Sequence, residues 1–158
     1  MDEEYERWRA DQAHAYLERI RLMGDDCAGL QAQIEDAYAR AEGMRGIDYA
    51  AIRVSVSPGA DAIPNAVAEL EGRIREYVGQ LRDYEEQRHE ASQAMMAMRD
   101  QNEARVLRLR YLLGRKWERI CAETDYSWDG MMKLRRRALA DYWDVMPREH
   151  RSQMPRAL

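Results

Sequence analysis

Phenylalanine is absent from this chain of 158 residues, which also holds only four Pro, nine Gly and two Cys. So few punctuators over this length point to long helices with few turns. Cys27 and Cys121 are far apart in sequence, which excludes a disulfide framework and makes a reducing, cytoplasmic setting the expectation. No apolar run reaches about 18 residues, so no membrane-spanning helix is expected. The start, Met1-Asp2-Glu3-Glu4, is acidic and lacks the basic-then-apolar order of a signal peptide.

What the chain does have is charge: 34% of its residues, against 46% hydrophobic. That fits one compact domain, or a small domain with an extended helical arm. The net charge of -4 hides an asymmetry, since residues 102–158 hold 13 Lys/Arg against 8 Asp/Glu and residues 1–101 hold 12 against 21. An acidic front and a basic back suggest two jobs, with polyanion contact assigned to the back.

Two apolar seams with a 3-4 rhythm predict two long helices. The first runs through Ala13, Tyr16, Ile20, Met23, Cys27, Leu30, Ile34, Ala37, Ala41 and Met44, weakened locally by Gly24 and Gly29. The second runs through Val67, Leu70, Ile74, Tyr77, Leu81, Tyr84, Arg88, Ala91, Met95 and Met98. Both extend over roughly 46 Å of helix. Matched lengths suit an antiparallel, coiled-coil-like hairpin over residues 1–100, with pairing between two chains in a homodimer as the alternative. The intervening stretch, about 45–63, reads as an irregular connector with a short extended piece at Ile52–Val56.

Asp100-Gln101-Asn102 supplies capping residues, and a second domain over 101–146 is expected there, followed by a flexible tail, 147–158. Three short helices are expected in it. The first, Glu103 to Leu113, has Val106, Leu107, Tyr111 and Leu112 as core and stops at Gly114. The second, Trp117 to Thr124, turns Trp117, Ile120 and Cys121 inward. The third starts after Ser127, a good N-cap, and carries an apolar stripe of Met131, Leu134, Ala138, Leu139 and Tyr142. Cys121 is small enough for a close helix crossing, and Asp125 tolerates the left-handed backbone of a tight turn. These features predict a helix-turn-helix and an all-α fold. Trp128, Asp129, Met132, Lys133, Arg136 and Arg137 lie off the stripe, where the first turn of such a helix meets base edges and its cations meet phosphates. Arg115, Lys116 and Arg119 flank the second helix, and Ser127 sits at a helix N-terminus that favours a phosphate.

Each residue also has a plainer role. Arg135-Arg136-Arg137 fits a solvated face, Trp117 fits core, and Trp128 fits a core edge as well as a DNA contact. Only the joint spacing favours the DNA-binding reading. No enzyme constellation is visible: His14, His89 and His150 are scattered, and no Gly-rich phosphate loop occurs. Neither a metal nor a cofactor is expected.

Residues 103–143 resemble the sigma-factor region 4 type of helix-turn-helix, on Arg105 through Leu112, Trp117-Glu118-Arg119-Ile120-Cys121, and Met131 through Leu139. The wider arrangement, about 15–143, resembles the ArpU/RinA-type phage transcriptional regulators. The connector carries part of this likeness, through Gly46-Ile47-Asp48-Tyr49, Arg53 to Pro58 and Asp61, as do Arg110-Tyr111 and Tyr126-Ser127. The resemblance implies a DNA-binding regulator in the cytoplasm of a bacterial host, activating late packaging and lysis genes of a phage or prophage. Its implied partners are double-stranded DNA and host RNA polymerase. Lys116 stands where a Ser or Thr cap is commoner, Gly130 sits in the first turn of the recognition helix, and Trp128 and Met132 replace polar residues. Two other readings fit the same segments: a small terminase subunit that packages DNA, and a helical interaction protein that binds no DNA.

Overall fold

The computed structural model describes residues 2–46 and 62–153, and these are helical with no strand. Five α-helices follow in order: α1 Asp2–Gly46, α2 Ala62–Met96, α3 Gln101–Leu107, α4 Trp117–Thr124 and α5 Trp128–Val145. A π-helical turn, Arg108–Leu112, extends α3, and a 3-10 turn, Arg148–His150, follows α5. No helix among the described residues is long and apolar enough to cross a membrane. The expected extended piece at Ile52–Val56 lies outside the described residues.

The chain forms two compact units, Met1–Leu22 with Glu85–Leu158, and Met23–Tyr84. The boundary expected near residue 100 therefore falls inside the first unit, because the start of α1 packs among the C-terminal helices.

In the first unit, Ala10, Ala13, Tyr16, Leu17 and Ile20 of α1 are buried, along with Ala91 and Met95 of α2. The Tyr142 hydroxyl donates to the Ala91 carbonyl at 3.4 Å. Arg9 pairs with Asp144 at 3.0 Å, and the Trp143 indole N–H donates to Gln12 Oε1 at 2.8 Å. The same Gln12 oxygen accepts from the Ser152 amide at 3.2 Å, while Arg151 donates to the carbonyls of Asp144 and Met146. The segment expected as a loose tail thus begins with an anchored turn.

In the second unit, Cys27, Leu30 and Ala37 are buried, while Val67, Leu70, Tyr77, Leu81 and Tyr84 are half-buried. Ile74, placed on the seam by its spacing, is 41% exposed. Two helical segments give each other only one covered face, so the stripe's edge stays wet. Gln33 accepts from Arg73 at 2.6 Å, and Tyr84 packs against Gly24.

Gly24 and Gly29 weaken the same helix for different reasons. A Cβ at Gly24 would stand 3.0 Å from the Tyr84 hydroxyl oxygen, whereas one at Gly29 would meet nothing within 4 Å. Gly29→Ala is therefore expected to stabilise the protein by roughly 0.5–1 kcal/mol, the ordinary gain of Ala over Gly inside a helix. Gly24→Ala is expected to gain less, because Tyr84 must move. Denaturant melts of the two variants check this, and equal effects would contradict the close approach at Gly24.

Candidate nucleic-acid interface

The C-terminal helices are positioned by their caps and by a small apolar core. Asp100 Oδ1 accepts from the Asn102 and Glu103 amides at 2.9 and 3.2 Å, starting α3. The π-helical turn ends with the Leu113 amide donating to the Arg108 carbonyl at 3.0 Å, and Gly114 takes φ 68. The left-handed φ that ends this segment suits Gly. Lys116 starts α4 with no side-chain cap, and Asp125 closes it in the left-handed conformation, φ 57. Among the described residues, Asp125 is the one non-glycine with positive φ. Ser127 Oγ then accepts from the Gly130 amide at 3.1 Å, which caps α5. A Cβ at Gly130 would lie 3.0 Å from that oxygen, so the glycine in the first turn leaves room for the cap.

Val106, Ile120, Met131 and Leu134 form one buried cluster, with Leu109, Trp117, Cys121 and Met132 packed around it. The stripe on α5 is buried as its spacing predicts, from Met131 through Tyr142. Its opposite side carries Asp129 and Lys133, both exposed; Arg136 is half-buried at its edge, and Met132 is half-buried against the core cluster. Trp128 is 49% exposed at the start of the helix.

Three consecutive arginines meet three different surroundings. The Arg135 guanidinium lies over the Trp117 ring at 5.6 Å and donates to His14 Nδ1 at 3.2 Å. His14 Nδ1 also meets the Tyr111 hydroxyl at 2.7 Å. A ring nitrogen facing two donors acts as the acceptor of a neutral imidazole. Burial first, and then the Arg135 charge, accordingly hold His14 below its ordinary value. Arg136 is half-buried. Arg137 is largely exposed, yet its Nε donates to Glu103 Oε1 at 2.7 Å, and Glu103 is a buried acid. The outward phosphate contact expected of Arg137 therefore competes with an existing ion pair.

Arg115 and Arg119 are also engaged. Both pair with Glu123, Arg119 at 3.0 Å, and they hold that exposed carboxyl below its usual range, the Arg119 hydrogen bond contributing most. Among the described residues, Lys116, Lys133 and Arg136 are in no ion pair. The spacing of residues 115–137 held no sign of Glu103 or Glu123 as partners.

Glu103 is the buried charge closest to this face. Its Oε2 is buried with no hydrogen-bond partner. Burial first, then the neighbouring Asp141 carboxyl, push it up to about 7, against the pull of Arg137. A raised carboxyl takes up its proton on folding, so its contribution is full below the ordinary value of 4.5 and lost as pH rises through about 7. Glu103→Gln keeps an acceptor for Arg137 and adds a donor towards Asp141. At pH about 8 it is expected to be more stable than the native protein by about 1–3 kcal/mol, the cost of an unsatisfied buried group. The gap should close towards pH about 4.5, and His14 drops out because both proteins carry it. Thermal melts across this range give the answer, and a gap independent of pH would refute the assignment. Ser127→Ala is expected to cost about 1 kcal/mol through the lost cap, read from the same melts.

No protein-family model, no curated protein and no solved structure matches this chain.

Proposed function

We propose that α4, the Asp125 turn and α5 form a helix-turn-helix that binds double-stranded DNA, and that the protein is a non-enzymatic transcriptional regulator. The observation that carries this reading is the side of α5 opposite its buried stripe, where Lys133 is exposed, Arg136 is half-buried, and neither is in an ion pair. The left-handed Asp125 that ends α4 and the Ser127 cap that starts α5 support it, since together they keep the turn between the two helices short. In this reading α5 lies in the major groove, with Asp129, Met132 and Trp128 nearest the base edges. Lys133 and Arg136 meet phosphates. The uncapped start of α4, next to Lys116, offers amide donors to another.

The seams support a further element, an antiparallel pairing of α1 and α2. In the second unit, Gly24 meets Tyr84 and Gln33 meets Arg73, so one register climbs as the other falls. The likeness to ArpU/RinA-type phage regulators suggests late-gene activation alongside host RNA polymerase, and the sigma region 4-like motif fits that role. Pairing of the long helices between two chains, in a homodimer, is the alternative to this intrachain pairing.

Arg137 is assigned to Glu103 rather than to DNA, which separates two kinds of variant. Lys133→Ala with Arg136→Ala is expected to weaken binding across sequences and to flatten the slope of log K against log salt by about 2. Arg137→Ala is expected chiefly to lower the melting temperature, because it leaves Glu103 buried without its cation. A gel-shift salt series on both variants decides, and an unchanged slope in the double variant rejects α5 as the DNA-facing helix.

A further inference from the structure

Three ligand-bearing side chains converge just beyond the end of α5. Glu90 on α2, and Glu149 and His150 on the 3-10 turn, present donor atoms that all lie within 4.8 Å of one another. His150 Nε2 is 3.8 Å from Glu149 Oε1. Beside them, Tyr16 of α1 is 5% exposed and its ring lies 4.7 Å from that of His150. The Tyr16 hydroxyl is buried and has no hydrogen-bond partner. Gln12, Tyr16, Arg19, His150 and Ser152 line an open cavity there. Arg19, the cation on that wall, is engaged with Gln87 at 3.3 Å and with the Tyr16 ring.

Sequence spacing gives no hint of this cluster, because Glu90 and His150 lie on distant segments. Two carboxylates and an imidazole, with the ring that carries an unsatisfied buried hydroxyl against the imidazole, form a donor set that suits a cation. A solvated acidic cluster leaves the hydroxyl without a purpose. One nitrogen and two oxygens suit a borderline metal better than magnesium or calcium, which take oxygen ligands. Four-coordinate zinc places its donors roughly 3.4 Å apart, so small side-chain rotations would close the site.

We propose that Glu90, Glu149 and His150 bind a divalent transition-metal ion of the zinc class, with a water in the remaining position and the Tyr16 hydroxyl as an outer hydrogen-bond donor. The ion ties the turn that follows α5 to α2. Bound metal then stabilises the folded chain by mass action. Outer donors of this kind orient ligands and tune affinity.

The test is titration of the full chain with Zn2+, by calorimetry and by thermal melting, with Co2+ as a visible probe. One Zn2+ per chain, a raised melting temperature and a four-coordinate Co2+ spectrum are expected, with no shift from Mg2+. Glu90→Gln and His150→Ala should each weaken binding at least tenfold, while His89→Ala leaves it unchanged. Absence of binding, or binding that survives in the Glu90→Gln/His150→Ala double variant, overturns the site. A thiolate-to-cobalt band also overturns it, since that band would place the metal on a cysteine. Should the variants lose helix content by circular dichroism, the cobalt spectrum of the native chain decides alone.

Discussion

The face that α5 turns outward is decided by the face it buries. Met131 and Leu134 close on Val106 and Ile120, and the helical period does the rest. Once these positions are inside, Asp129 and Lys133 have no other place than the opposite side. The constraint reaches into the arginine run, where each step along the chain rotates the side chain by about 100°. Arg135 comes to rest over Trp117 and against His14, Arg136 between core and solvent, and Arg137 beside Glu103. One core contact thus divides three identical residues into three roles. Trp117 takes part in this division, because its ring lies edge-on to Tyr111 and receives Arg110 as well as Arg135.

Local features of this segment were legible because each has a local cause. Asp100 and Ser127 accept amide protons within three residues, and Gly114 and Asp125 need only a backbone that tolerates positive φ. The apolar stripe of α5 follows from its period. The all-helical class followed in the same way, from scarce Gly and Pro and from two long seams.

Long-range pairing was not legible, because periodicity records which face a helix hides and not against what. Glu103 and Arg137 are 34 positions apart, and Arg9 and Asp144 are 135 apart. Nothing in the spacing of charges marks these pairs among the many Glu and Arg of the chain. The burial of Ala10 and the Gln12 contacts before the first seam were missed for the same reason. The exposure of Ile74 shows the converse error, a residue on the right stripe with too little partner to cover it.

The pairs also change what the basic back of the chain offers a polyanion. Counting Lys and Arg suggests a strong field, but Arg115 and Arg119 share Glu123, and Arg137 serves Glu103. A duplex along α5 would then meet Lys116, Lys133 and Arg136 as its unpaired cations. Each neutralised phosphate contributes about 0.9 to the salt slope, so so few contacts make the sequence-independent attraction modest. In the proposed complex, affinity would then have to come from elsewhere on the same face. Trp128, half-exposed, would offer apolar surface of the kind that meets a thymine methyl, while Asp129 would suit a cytosine amine. A second copy of the chain would double the phosphate contacts without changing the face. The proposed regulator is therefore one whose discrimination resides in the first turn of α5, where the sequence departs most from a polar base-reading helix.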